Sequence, residues 1–286
     1  MSPSGPVPPD RLERGVQVLR SWGLEVAVAP HAVATHPELD YLAGTDAQRA
    51  GDFQAAWCDP RIDAILCARG GYGAFRMVDL LDFEAMGRAR PKILAGYSDV
   101  TALHQAIGTR LGVVTLHAPM IGAEPFTSDE PTRAMLRRML FEPELVRTIS
   151  ATGARALIGG RAGGITMGGC LSLLASGVGG PTGPPSAAGS ILVIEDVDEK
   201  RYQIDRMLTE LLRSGWLTGV AAVVAGSWHD CEDGVDEVLI DRLSPLGVPV
   251  LTDVGFGHGS RSATVPLGVR AGVEDAGIHL YEPALA

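Results

Sequence analysis

The 286-residue chain is poor in aromatic side chains (5%), holds only four cysteines, and contains no uncharged apolar run long enough to cross a membrane. Cys58, Cys67, Cys170 and Cys231 are widely spread with no CxxC spacing, which argues against a disulfide framework and a cysteine-built zinc site. Reduced, mostly buried thiols are expected. The opening Met1-Ser-Pro-Ser-Gly-Pro-Val-Pro-Pro lacks the basic-then-apolar order of a secretory signal, so a cytoplasmic protein with no membrane partner is expected. Basic residues are also in the minority, 24 against 34 acidic, giving a net charge of −10 that repels a phosphate backbone and makes nucleic acid an unexpected partner. Neither G-x-G-x-x-G nor G-x-x-x-x-G-K-[ST] occurs, so a phosphate-bearing cofactor has no support. No metal is expected either, because the acidic strand end at Glu195 has no histidines nearby in sequence.

What is present suits a globular chain: 46% hydrophobic and 20% charged residues, enough apolar material for a large core. Short β-rich runs at Leu24–Ala29, Ile62–Ala68 and Ile93–Gly96 alternate with helical patterns over Ala47–Trp57 and Tyr72–Phe83, predicting a parallel sheet with covering helices. A charged, helix-compatible stretch over 127–147 leads to a glycine-rich passage over 153–169, where the interdomain link is expected. Two α/β domains are therefore predicted, 1–150 and 151–286. The second offers strands at Ser190–Ile194, Val220–Ala225 and Val248–Leu251 and a helix at Tyr202–Leu212. Gly179-Gly-Pro-Thr-Gly-Pro-Pro-Ser between them can only be a loop.

Four segments could carry chemistry. In Gly96-Tyr-Ser98-Asp-Val100 an apolar strand runs into a serine and out into a helical pattern, the setting of a nucleophile elbow, although the second glycine of G-x-S-x-G is missing. The bland alternative makes Ser98 or Asp99 a helix N-cap. Arg69-Gly70-Gly71-Tyr72-Gly73 follows a strand, and its glycines could leave a backbone N–H exposed for an oxyanion or form a plain tight turn. Four apolar residues deliver Glu195 and Asp196 to a strand end, where a carboxylate can orient a histidine, bind a metal or cap a helix; Asp198 and Glu199 beyond them read as a solvated acidic loop. His258, flanked by Gly257 and Gly259, has little packing of its own, whereas His31, His36, His104, His117, His229 and His279 read as surface or core residues. A serine, a carboxylate and a histidine, each just past a predicted strand, are the set that acyl transfer requires.

These residues resemble the LD-carboxypeptidases, a family that also includes the microcin-immunity peptidases. The similarity is carried by Arg69-Gly-Gly-Tyr-Gly, by Gly96-Tyr-Ser-Asp-Val-Thr-Ala-Leu, by the run from Ile194 to Leu208 and by Gly257-His-Gly with Thr264-Val-Pro-Leu-Gly behind it. Lesser matches at Ala43–Ala50 and His117-Ala-Pro-Met extend it over nearly the whole chain. The resemblance implies a catalytic triad of Ser98, His258 and Glu195 with backbone oxyanion donors at Gly71 and Asp99. It implies a flavodoxin-like N-terminal domain joined to a smaller, swivelling β/β/α-type C-terminal domain, with the site at their junction. It further implies cleavage of the L,D-peptide bond before the terminal D-alanine of murein tetrapeptides, no cofactor, and a homodimer. The runner-up within the same chemistry is cleavage of peptidyl or aminoacyl nucleotide conjugates; from other classes, a non-catalytic peptide-binding protein and a nucleotide-dependent oxidoreductase are the rivals. One departure is local: Gly168-Gly-Cys170-Leu stands where the family commonly reads Gly-Gly-Asn-Leu, so hydrogen bonding there is expected to differ, since a thiol barely replaces an amide.

Overall fold

A computed structural model describes residues 1–274 and 276–285. The first half runs α1 (Pro9–Ser21), α2 (Asp46–Cys58), β1 (Ala64–Leu66), α3 (Ala74–Val78), α4 (Phe83–Arg88), β2 (Ile93–Gly96), α5 (Thr101–Leu111), β3 (Thr115–His117), α6 (Glu124–Ser128) and α7 (Glu130–Phe141). The second continues with β4 (Thr148–Ile149), β5 (Arg155–Ile158), β6 (Ala162–Cys170), α8 (Leu171–Ser176), β7 (Ser190–Val197), α9 (Arg201–Arg213), β8 (Ala222–His229), α10 (Val235–Leu243), β9 (Val250–Thr252), β10 (Val265–Leu267), β11 (Arg270–Glu274) and β12 (Gly277–Leu280).

Two sheets result. The first has the order β1-β2-β3-β10, with β1, β2 and β3 parallel and β10 antiparallel to β3. The second has the order β4-β12-β11-β6-β7-β8-β9-β5, parallel through β6, β7, β8 and β9 and antiparallel at its flanks. The mixed α/β architecture expected from the alternating pattern is thus present. Because β10 comes from the far end of the chain and pairs with β3, the two sheets are tied together by main-chain hydrogen bonds as well as by side chains.

Side-chain alternation along β7 explains why the core is layered. Leu192 and Ile194 pack under α8, α9 and α10 with Leu174, Ile204, Leu208 and Leu239, whereas Ile191 and Val193 enter a separate core shared with Ala95 and Leu116 of the first sheet. With a period of two, Glu195 shares the face of Ile191 and Val193. It therefore points into the shared core between the sheets. A third cluster, including Phe53, Trp57, Leu94 and Leu103, fills the outer face of the first sheet.

Three expectations are corrected. The run Leu24–Ala29 joins no ladder; Leu24, Val26 and Ala29 pack on the shared core, so its apolar pattern is satisfied while its backbone finds no strand beside it. The glycine-rich stretch expected to hold the link forms β5 and β6 instead, because its glycines answer close approach: a Cβ at Gly168 (φ +130°) would lie 1.9 Å from the Val193 carbonyl oxygen. The single helix expected over Tyr72–Phe83 is also divided. Gly73, at φ +125°, starts α3, and a second helix, α4, begins at Phe83 under the N-cap of Asp82.

The same geometry predicts opposite outcomes for two glycines. Gly168→Ala should lower the unfolding free energy in urea by about 3 kcal/mol or more, since backbone occupies the space. Gly51→Ala, inside α2 with nothing within 4 Å of the added carbon, should raise it by up to about 1 kcal/mol.

Candidate functional site

Ser98 begins a 3-10 turn directly after β2 and holds φ at +63°, a left-handed value rare for a residue with a side chain. Its hydroxyl makes no capping bond to the helix it precedes, so the N-cap alternative for Ser98 is not realised. Asp99 does cap, but elsewhere: its buried carboxylate accepts the N–H of Ala74 at the start of α3 (2.7 Å). Gly70 is packed against the serine, and a Cβ there would stand 3.0 Å from Ser98 Cβ and 3.2 Å from its Oγ. The Gly71 N–H donates no hydrogen bond among the described residues, and the Asp99 N–H lies in the first turn of a helix, where intrahelical acceptors are missing.

Glu195 is fully buried. Its Oε2 accepts from the backbone N–H of His258 at 3.0 Å and lies 2.7 Å from His258 Nδ1. Gly257, at φ +99°, makes this approach possible, since a Cβ there would stand 2.5 Å from that same Oε2. Burial pushes the Glu195 carboxyl upward, but the imidazoles of His117 and His258 outweigh it and hold it at about 2. Burial opposes a proton on His258, yet the hydrogen bond and charge of Glu195 prevail and raise it above its ordinary value. The His258 ring is not loosely held, contrary to what its glycine neighbours suggest: its side chain is 16% exposed and meets Tyr97 edge-on with centroids 4.7 Å apart.

Ser98 and His258 line one cleft of about 650 Å³, together with Gly71, Arg69, Arg11 and Met120. Serine and histidine come from opposite halves of the chain, and Glu195 lies behind the histidine. Arg201 and Arg261, near predicted site loops in sequence, are held outside the cleft against Glu232 (3.7 Å) and Asp129 (3.8 Å). Among the described residues no group of three or more His, Cys, Asp or Glu side chains is arranged to hold a metal. No described helix is long and apolar enough to cross a membrane.

Models of the LD-carboxypeptidase N-terminal and C-terminal domains match residues 1–118 and 163–273. The chain belongs to the LD-carboxypeptidase family. It is a serine-type carboxypeptidase by that membership. A Streptomyces coelicolor protein provisionally named a carboxypeptidase is 55% identical over all of this chain and 93% of its own length. The murein tetrapeptide carboxypeptidase of Pseudomonas aeruginosa is 30% identical over 96% of this chain and 92% of its own. Among solved structures, the microcin C7 self-immunity protein MccF, bound to glutamyl sulfamoyl guanosine, superposes with a TM-score of 0.88 over 100% of this chain and 96% of that one, at 24% identity. That likeness establishes the fold.

Two neighbours of the candidate site, His117 and Tyr97, went unread as such in sequence, and a third, Asp196, was read only as a strand-end carboxylate with several open roles. His117, taken as a default core or surface residue, is buried with Nε2 3.5 Å from Glu195 Oε1. Tyr97 packs between the two imidazoles. Asp196 turns away from Glu195 to accept the Ser172 N–H (2.7 Å) and the Cys170 thiol (3.3 Å). Of the cysteines, Cys67 and Cys170 are buried, Cys231 is half-buried and Cys58 is exposed, and all are free.

The depressed Glu195 carboxyl fixes the sign of an acid effect. A folded value of about 2 against an ordinary 4.5 gives stabilisation that is complete above pH 4.5 and lost as pH falls towards 2. Acid unfolding of wild type beside Glu195→Gln should show that increment, on the order of 3 kcal/mol, vanishing through this window only in the wild type.

Proposed function

We propose that Ser98, His258 and Glu195 form a Ser-His-Glu triad that removes the terminal D-alanine from murein tetrapeptides through an acyl-enzyme. The observation that carries this reading is the 2.7 Å contact between Glu195 Oε2 and His258 Nδ1, on the wall of the cleft that Ser98 also lines. A carboxylate on Nδ1 fixes the proton there, leaving the Nε2 lone pair as the base. Nε2 takes the Ser98 proton as Oγ attacks the scissile carbonyl. The developing oxyanion is met by the N–H groups of Gly71 and Asp99. Collapse of the tetrahedral species expels the D-alanine amine, which receives the proton held by His258, and water hydrolyses the serine ester by the same relay. The murein substrate is favoured by the relationship to the murein tetrapeptide carboxypeptidase of Pseudomonas aeruginosa.

A carboxypeptidase must also hold a terminal carboxylate, and Arg69 and Arg11 are the guanidinium groups on the cleft wall. Arg69 is steadied by a bond from Nη1 to the Pro6 carbonyl (2.6 Å), which leaves its other donors free to pair with an anion.

Purified wild type and Ser98→Ala, incubated with murein tetrapeptide, should differ by at least ~10³-fold in alanine release read by mass spectrometry, with unchanged circular dichroism. A fully active alanine variant would sink the triad, and release by neither protein would move the nucleotide-conjugate substrates to the front. In the wild type the acid limb of kcat/KM should lie above pH 6.5, because the base must be neutral and Glu195 raises it. Glu195→Gln should move that limb to lower pH while cutting kcat by about 10³-fold or more.

A further inference from the structure

The two oxygens of Glu195 are treated unequally. Oε2 takes both bonds from His258, whereas Oε1 has no hydrogen bond among the described residues, although it is shut off from solvent. Opposite it stands another buried group in the same condition: neither ring nitrogen of His117 has a hydrogen-bond partner among the described residues. Nε2 of that ring and Oε1 are 3.5 Å apart, just beyond a good N–H···O bond. Two unsatisfied buried polar groups aimed at each other are a costly arrangement unless they pair.

We propose that His117 is a positioning residue for the Glu195–His258 pair, donating from a neutral Nε2–H to Glu195 Oε1 so that Oε2 is kept for His258. The proposal rests on the triad reading above and adds a second imidazole to it. Aromatic rings enforce the aim. Phe256 meets the His117 ring at 83° with centroids 5.6 Å apart, and Tyr97 lies 5.8 Å away on another side, so the imidazole has little room to turn.

A neutral donor is the form the proposal assigns to His117. The charged or titratable groups around this pair are Glu195 and Asp196 on β7, Cys170 at the end of β6, Tyr97 after β2, His104 on α5 and His258 in the loop after β9. An imidazolium at His117 would neutralise the carboxylate that must stabilise a proton arriving on His258. It would also place two buried cations on one anion. A neutral donor fixes the carboxylate geometrically and leaves its charge to His258.

His117 belongs to the first sheet and Glu195 to the second, so the contact also spans the junction. Catalytic hydrogen bonds are often long in the free enzyme and tighten on binding. Shortening of this one would couple seating of a peptide beside Ser98 to alignment of the base.

Nitrogen-15 NMR of histidine-labelled protein tests the assignment without reference to turnover. In the wild type at neutral pH, His117 should be the Nε2–H tautomer and His258 should show a low-field Nδ1–H bonded to Glu195. A His117 ring protonated on Nδ1 alone, or on both nitrogens, overturns the proposal with no variant needed. His117→Met should broaden or abolish the His258 low-field proton and lower kcat by on the order of 10- to 100-fold at similar KM, as loss of an orienting partner does elsewhere. His117→Gln restores an N–H donor and should recover both readouts substantially. Equal impairment of the Met and Gln variants at wild-type melting temperature would assign His117 to packing alone. If Ser98→Ala proves fully active, the triad falls, while the NMR result still decides whether His117 orients Glu195.

Discussion

A carboxylate without solvent has to be paid for by its neighbours, and much of the architecture around Glu195 answers that demand. Left unpaired between two sheets, such an anion would cost several kcal/mol and would take up a proton instead. Here it stays well below the usual carboxylate range because two imidazoles and one backbone N–H converge on it. That convergence dictates local sequence. Position 257 must be glycine, since even one carbon more would overlap Oε2. Alternation along β7 sends Ile191, Val193 and Glu195 to one face, so the strand that builds the shared core also delivers the charge at its end.

The junction between the sheets must hold its register if a serine from one side is to meet a histidine from the other. Three links serve this. Strand β10 leaves the second half to pair with β3, the Cys170 N–H donates to Thr101 Oγ1 at the start of α5 (3.0 Å), and a Cβ at Gly169 would stand 2.4 Å from that same oxygen. Cys170 also shows how a thiol is held at the β6–α8 corner. Its sulfur donates to Asp196, while the Ser172 N–H and hydroxyl supply Asp196 with further donors. Burial and the nearby charge of Glu195 push Asp196 upward, which suits a group that serves to hold the β6–α8 corner.

Legibility in the sequence followed the range of the interactions. Local patterns were readable: β2, α2, β7 and α9 lie where the periodicity put them, and Ser98 falls just beyond β2, whereas Glu195 lies within β7 near its end and His258 in the loop well after β9. The contact between Glu195 and His258 bridges 63 residues, so it was reachable only through the chemistry of the set and through family resemblance. Leu24–Ala29 misled because alternation reports which side chains are buried and not whether a neighbouring strand exists. The glycines of 153–169 misled in the opposite sense: glycine suggests slack, but at Gly164 and Gly168 it answers backbone crowding inside a sheet. His117 was missed because an isolated histidine carries no local mark of the carboxylate that faces it.

The serine illustrates why a strained backbone needs so much support. A left-handed backbone at a residue with a side chain costs roughly 1–2 kcal/mol. Ser98 holds it because both flanks are fixed independently of the hydroxyl. Tyr97 before it is extended and clamped against His258, and Asp99 after it is tied through its carboxylate to the first N–H of α3. Gly70 supplies the space on the remaining side. Relaxing Ser98 to a right-handed conformation would break the alignment of β2 with α5 and withdraw Asp99 from α3. The strain is therefore maintained by contacts that fold the first sheet, which is how the chain keeps one residue in a costly state.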